Sequence, residues 1–321
     1  MRNRRLILIA WVLPVLLTLS CNQPFSPKAP FQEQPVVYSV LFTNRSAQIV
    51  RVYSNYDVPG FDPFENSTDR PIAGGIVTVK GPRGTYAFRD TLLPRTDTSR
   101  YTTPIPAYVS NWQPEPGQTY TLSVLSPEAG STSATVTTLA KARKMYWYYP
   151  TNFMDYPDSI KYETAISAVA DLPSQGNACF VQLSIEYSVV AGSGSRIEER
   201  EVPLWAYDAT LKYATYPSLQ TSTQWGIGMF YNQWGYRRAV AYISNAYRDT
   251  KLTFKRVIFR VLQLDQNWYT YYHTVRISQD PLSIRIDQPD FTNLSRGYGV
   301  FGACTVDSLI HNLPVDFAWN H

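Results

Sequence analysis

Apolar and polar residues alternate with a period of two in many short stretches, and this constrains the chain more than any other feature. Val36, Tyr38, Val40 and Phe42 share one parity, against Val37, Ser39, Leu41 and Thr43 on the other. In 47–53, Ile49, Arg51 and Tyr53 alternate with Val50 and Val52. Such spacing sends successive side chains to opposite faces of a strand. Further runs at 76–80, 86–90, 118–124 and 132–139 are separated by turn signals such as Gly81-Pro82-Arg83-Gly84 and Pro114-Glu115-Pro116-Gly117. The 24 Tyr, 14 Phe, 8 Trp and 23 Pro also favour short strands and punctuated loops over helices. Six or seven such strands over about a hundred residues predict an immunoglobulin-like β-sandwich for 36–140. A polar, Pro-rich loop between 55 and 71 interrupts it.

The 321 residues leave room for a second domain, and Lys141, Arg143 and Lys144 mark a charged junction before it. From 141 to 321 the pattern predicts strands at 162–169, 178–190, 199–204, 238–244, 252–264, 284–286 and 299–306. One helix is expected near 265–276, where Asp265 can cap and Trp268, Tyr272 and Val275 fall at i, i+4 and i+7. The fold class is therefore mainly β: an immunoglobulin-like sandwich followed by a second sandwich-like domain carrying one helix.

The N-terminus carries an address. Arg2, Arg4 and Arg5 precede an apolar run over 6–19, too short to span a bilayer and of the length of a signal-peptide core. The run ends Leu17-Thr18-Leu19-Ser20-Cys21, which resembles the lipobox of bacterial lipoproteins, with Thr18 and Leu19 as departures. The resemblance implies a signal peptide at 1–20, an acylated Cys21 and a Pro-rich tether over 21–35. An ordinary secretory signal that happens to contain a cysteine is the alternative. No aspartate follows Cys21, nor an acidic cluster, so the outer membrane is expected, with the periplasmic leaflet favoured over the cell surface. Of the +4 formal charge, three come from those arginines, and +1 remains without them. That removes the main support for nucleic-acid binding.

Near the C-terminus the chain reads Phe291-Thr292-Asn293-Leu294-Ser295-Arg296-Gly297-Tyr298-Gly299-Val300-Phe301-Gly302-Ala303. Together with the lipobox, Val36-Val37-Tyr38-Ser39-Val40-Leu41 and Pro71-Ile72-Ala73-Gly74-Gly75-Ile76-Val77-Thr78-Val79, this resembles a Bacteroidota outer-membrane lipoprotein family of unknown function (domain of unknown function 4249). Ser295 and Arg296 stand where a more glycine-rich approach is usual. The resemblance implies a setting beside large barrel-type receptors and supplies no catalytic residues. The glycines by themselves read as a bulged final strand packing onto the helix.

Chemistry-bearing residues are sparse. His273, His311 and His321 show no metal spacing, and no Gly-x-Ser-x-Gly elbow is present. Glu198, Glu199 and Glu201, or Asp287 and Asp290, could in principle pair for glycoside hydrolysis. Asp57, Asp62, Glu65, Asn66 and Asp69 offer hard oxygen ligands without EF-hand spacing. No catalytic residue, metal or cofactor is therefore expected. Cys179 and Cys304 both sit at core parity, as a disulfide or as two separate thiols. Aromatic residues cluster at 146–149 with Phe153 and Tyr156, where core packing is favoured. They cluster again at Trp225, Phe230, Tyr231, Trp234 and Tyr236 with Arg237 and Arg238, where a glycine-threaded partner-binding loop and plain core packing stay open. The expected function is a non-catalytic outer-membrane lipoprotein, a binding or accessory module for a barrel-type transporter. The alternatives are a polysaccharide hydrolase and a passive structural or adhesive envelope component.

Overall fold

The computed structural model describes residues 30–55, 57, 70–95, 98, 102–149, 166–174, 176–191, 194–277 and 291–313. The chain divides into Met1–Glu33 and Gln34–His321, and every element below belongs to the second unit. Its first half contains β1 (Pro35–Phe42), β2 (Gln48–Ser54), β3 (Ile76–Gly81), β4 (Gly84–Ala87), β5 (Arg89–Leu93), β6 (Ile105–Ser110), β7 (Thr119–Ser126) and β8 (Gly130–Thr137). One layer runs β1-β2-β6-β5 and the other β4-β3-β7-β8. These are the A-B-E-D and C′-C-F-G orders of an immunoglobulin-type sandwich. Val37, Leu41, Val50 and Val52 from the first layer meet Val77, Val79, Leu122 and Val124 from the second. The alternation visible in the sequence thus becomes the inner faces of two sheets.

Tyr120, near the start of β7, closes the corner before that strand. Its buried hydroxyl accepts a hydrogen bond from the Glu115 backbone N–H at 2.7 Å, and burial pushes its pKa up. The Trp112 ring packs on it at 5.3 Å and stacks on Tyr86 at 4.1 Å. This is the tyrosine corner of immunoglobulin-like folds. Tyr120→Phe keeps the ring and strands the Glu115 donor, so it should cost about 1–2 kcal/mol in urea unfolding. An unchanged midpoint would reduce the hydroxyl to a passenger.

The second half contains β9 (Lys144–Tyr149), β10 (Ile166–Asp171), β11 (Ala178–Ala191), β12 (Gly194–Glu201), β13 (Gln220–Thr221), β14 (Ile227–Tyr231), α1 (Gln233–Ala246), β15 (Lys251–Leu264), α2 (Gln266–Ile277) and β16 (Tyr298–Asn312). Two helices are therefore present among the described residues where one was expected. The added helix covers 238–244, which the sequence suggested as strand. Tyr236, Ala239, Val240 and Ile243, all buried, fall at i, i+3, i+4 and i+7, the helical period.

The long strand β16 joins the two halves. Its first part pairs parallel with β1, from Tyr298 beside Val36 to Cys304 beside Phe42. Its second part pairs antiparallel with β15, from Cys304 to Asn312. One sheet thus runs β12-β11-β15-β16-β1-β2-β6-β5 through both regions. The 140/141 division separates the two apolar cores, except that Leu294, Phe301 and Ala303 complete the first, and it does not divide the sheet. In the second core, β11 and β15 are covered by α1 and by the small sheet β14-β10-β9.

On the reverse face of the large sheet, α2 rests on β16. As the sequence suggested, Asp265 caps it, accepting from the backbone of Asn267 at 2.9 Å and Trp268 at 3.1 Å. The same carboxylate accepts from Ala303 N–H at 2.7 Å, tying cap to strand, while burial raises its pKa. A side chain at Gly302 would put its Cβ 2.7 Å from that of Trp268, so the helix sits where the strand has none.

No disulfide joins Cys179 and Cys304: both are buried free thiols. Cys179 lies opposite Gln263 and Cys304 opposite Leu264. Because neighbours on β15 face opposite ways, the two sulfurs lie on opposite sides of one sheet. Burial pushes each thiol up to about 12.

Candidate functional site

The stretch from Trp225 to Arg238 is not a loop. A turn between Thr223 and Gly226 leads into β14, and Asn232 then caps α1 by accepting from the Trp234 N–H at 2.9 Å. Regular structure sorts the aromatic residues. Tyr231 and Tyr236 are fully buried in the second core, so they are not available to a partner. Trp225, Phe230 and Trp234 remain exposed at 80%, 61% and 45%. Arg237 and Arg238 are half-buried, and the Arg238 guanidinium lies 5.7 Å from the Trp234 ring centre.

The structure adds residues that the sequence reading passed over. Gly235, in the first turn of α1, lies so close to the chain at 203–204 that a Cβ would stand 2.0 Å from Pro203 O. This contact brings the exposed rings of Trp205 and Tyr207, 6.4 Å apart, to the beginning of the helix. Asp208 beside them accepts from Thr210 Oγ1 at 2.6 Å and Thr210 N at 2.9 Å, which holds its pKa down, and the Arg238 charge acts the same way. In the sequence Trp205 and Tyr207 only continue the apolar run that begins at Val202, so no local signal marked them as exposed. The contact of Gly235 with 203–204 and the influence of Arg238 on Asp208 put the 205–208 segment next to the first turns of α1, so exposed aromatic faces and charge lie in one region. Such surfaces suit a macromolecular partner.

The aromatic run at 146–149 divides the same way. Trp147 packs toward the core, 6.3 Å from Phe259, whereas Tyr146 and Tyr148 are exposed on the other face of β9. Phe153 and Tyr156 lie outside the described residues.

Glu198 and Glu199 are already engaged. Glu198 accepts from the hydroxyls of Tyr247 and Tyr187 and pairs with Arg196 at 2.6 Å. The Tyr247 bond leads in holding its pKa below the usual range. Glu199 points to the opposite side of β12. Burial opposes its charge most strongly, but a two-pronged contact from Arg260 together with Ser184 and the Arg256 charge lowers its pKa overall. Burial raises the pKa of Glu201. Alternation along the strand thus separates Glu198 from Glu199. Asp287 and Asp290 lie outside the described residues, as do His321, Asp62, Glu65, Asn66 and Asp69. His273 is exposed on α2, while His311, on β16, has its pKa lowered by burial. Among the described residues no three His, Cys, Asp or Glu side chains converge to hold a metal ion. Among them, too, no helix is long and apolar enough to cross a membrane.

A family profile, Domain of unknown function (DUF4249), matches residues 23–310. The chain belongs to this family. A comparison with curated proteins finds no match. In this DUF4249 chain, the C-terminal glycine segment is part of the fold. Asn293 donates to Phe301 O at 2.8 Å and accepts from Phe301 N–H at 2.9 Å, standing in for a neighbouring strand. Ser295 N–H donates to Ser133 O at 2.8 Å, and Thr132 Oγ1 donates to Arg296 O at 2.6 Å, so the approach to β16 is stitched to β8.

Proposed function

We propose that the chain is a non-catalytic binding module, anchored to the outer membrane through an acylated Cys21, that docks a barrel-type transport component. The observation that carries this reading is the surface of Trp205, Tyr207, Trp234 and Arg238. Large aromatics held by a capped helix and a folded segment bring contact area at little entropic cost, the character of interface anchors. Anchoring adds to this, because confinement to the membrane raises the effective concentration of two partners, so a modest affinity is enough. The periplasmic leaflet is the favoured side. Polysaccharide hydrolysis has less support, since Glu198 and Glu199 are each tied to their own cation and lie on different sides of the strand.

The test is recovery of the barrel with the full chain from detergent-solubilised membranes. Trp205→Ala with Trp234→Ala should lower recovery about tenfold or more, as truncating anchor aromatics costs about 2 kcal/mol or more. Near-UV circular dichroism should stay native, because both side chains lie at the surface. A native double variant with undiminished recovery would remove this surface from the assignment.

A further inference from the structure

On the reverse face of the large sheet, away from the aromatic surface of α1, a cleft of about 490 Å³ opens between β1, β2 and α2. This falls within the usual range for small-molecule sites. One wall is aromatic: Trp268 and Tyr271 stack at 5.9 Å with their planes 16° apart, and Tyr38 meets Tyr271 at 5.8 Å. Val40, Ile49 and Val300 contribute an apolar floor. Among the described residues that line it, Arg45 and Arg51 supply the charge.

The two arginines are what make the cleft specific. Arg51 stands beside Tyr38 across the β1–β2 ladder. Arg45 lies over the Phe42 ring at 4.0 Å, on a turn held by the buried Gln48. That side chain accepts from Phe42 N–H at 3.0 Å and donates to Arg45 O at 2.7 Å. Among the described residues, neither guanidinium has a carboxylate partner and no acidic side chain lines the cleft. The helix wall is equally fixed, since Asp265 binds α2 to Ala303 and Gly302 lets it sit against the strand. The aromatic wall is therefore preorganised, and Arg45 rests on Phe42 at its edge.

We infer that this cleft binds a small organic carboxylate, its apolar or aromatic body against Trp268, Tyr271 and Tyr38 and its anionic head on Arg45 and Arg51. A guanidinium matches a carboxylate with two parallel hydrogen bonds, and it stays charged at any physiological pH. Two cations beside a mostly apolar surface suit one anionic head and one apolar body. A polyanion would find too few cations here, and a neutral ligand would leave both guanidinium groups unused. The site is independent of the docking surface proposed above.

The test uses the full chain in a neutral detergent and 4-phenylbutyrate as probe, with 4-phenylbutanol as its uncharged counterpart, followed by titration calorimetry. The carboxylate should bind saturably and at least tenfold more tightly than the alcohol. Arg45→Gln with Arg51→Gln should erase that preference while near-UV circular dichroism stays native, because both side chains are exposed. Trp268→Leu should weaken both probes. Equal binding of acid and alcohol overturns the inference, as does undiminished binding by the arginine variant or no saturation up to about 1 mM. Binding that arises only when Asp280, Asp287 and Asp290 are changed to Asn would make the chain's own carboxylates the occupant, and overturns it too. Loss of barrel recovery in the Trp205 and Trp234 variant leaves these titrations unchanged, so the two assignments fail separately.

Discussion

Gly299→Ala should unfold the chain at urea concentrations where Gly74→Ala is still native. Both glycines have positive φ, +110° and +69°. A side chain in left-handed backbone costs about 1–2 kcal/mol at either position. They differ in their surroundings. Around Gly74 a Cβ would meet nothing within 4 Å. At Gly299 it would stand 2.0 Å from Val37 O and 2.8 Å from Val37 C, inside the backbone of β1. Relief requires separating β1 from β16, the parallel pair that links the two halves of the large sheet. The cost should exceed about 4 kcal/mol, in the rare class of severe substitutions. Urea unfolding followed by near-UV circular dichroism checks this. Equal midpoints for the two variants would mean that β1 and β16 tolerate the intrusion, and that their pairing does not hold the halves together.

Cys21→Ser should abolish lipid labelling and release the protein from the membrane fraction, an all-or-none change. Residue 21 lies outside the described residues, and the Leu17-Thr18-Leu19-Ser20-Cys21 segment is what points to its acylation. A single acyl chain holds a protein to a bilayer only marginally, whereas two or more anchor it stably. A serine in that place offers no thiol to acylate. Incorporation of a labelled fatty acid together with membrane fractionation reads the result. Full retention and undiminished labelling in the variant would remove the anchor from the proposed function, leaving the cleft and the aromatic surface to be judged alone.

The elements that could be read in advance are those whose cause is local. Alternation at 36–42 and 118–124 became β1 and β7 because a half-buried strand needs only period two. The helix at Gln266–Ile277 was legible because Asp265 caps it within three residues. The helix at Gln233–Ala246 was hidden among Gly235, β-branched Val240 and Ile243, and a crowd of aromatics, none of them strong helix formers. Its apolar stripe registers only once β11 and β15 exist to receive it.

The same distinction holds for function. From its residues alone this chain is mainly β, its first half is sandwich-like, and its final glycines belong to a strand under a helix. Those traits follow from side-chain periodicity, capping and steric freedom, which act over a few residues. Tertiary structure decided that Tyr231 and Tyr236 are core while Trp205, Tyr207 and Trp234 are surface. It also placed Cys179 and Cys304 on opposite sides of a sheet. And it gathered Arg45 and Arg51 beside Trp268, far away in the chain, in one cleft. Which face of an element is covered depends on partners contributed from distant segments, and no local pattern records which partner arrives.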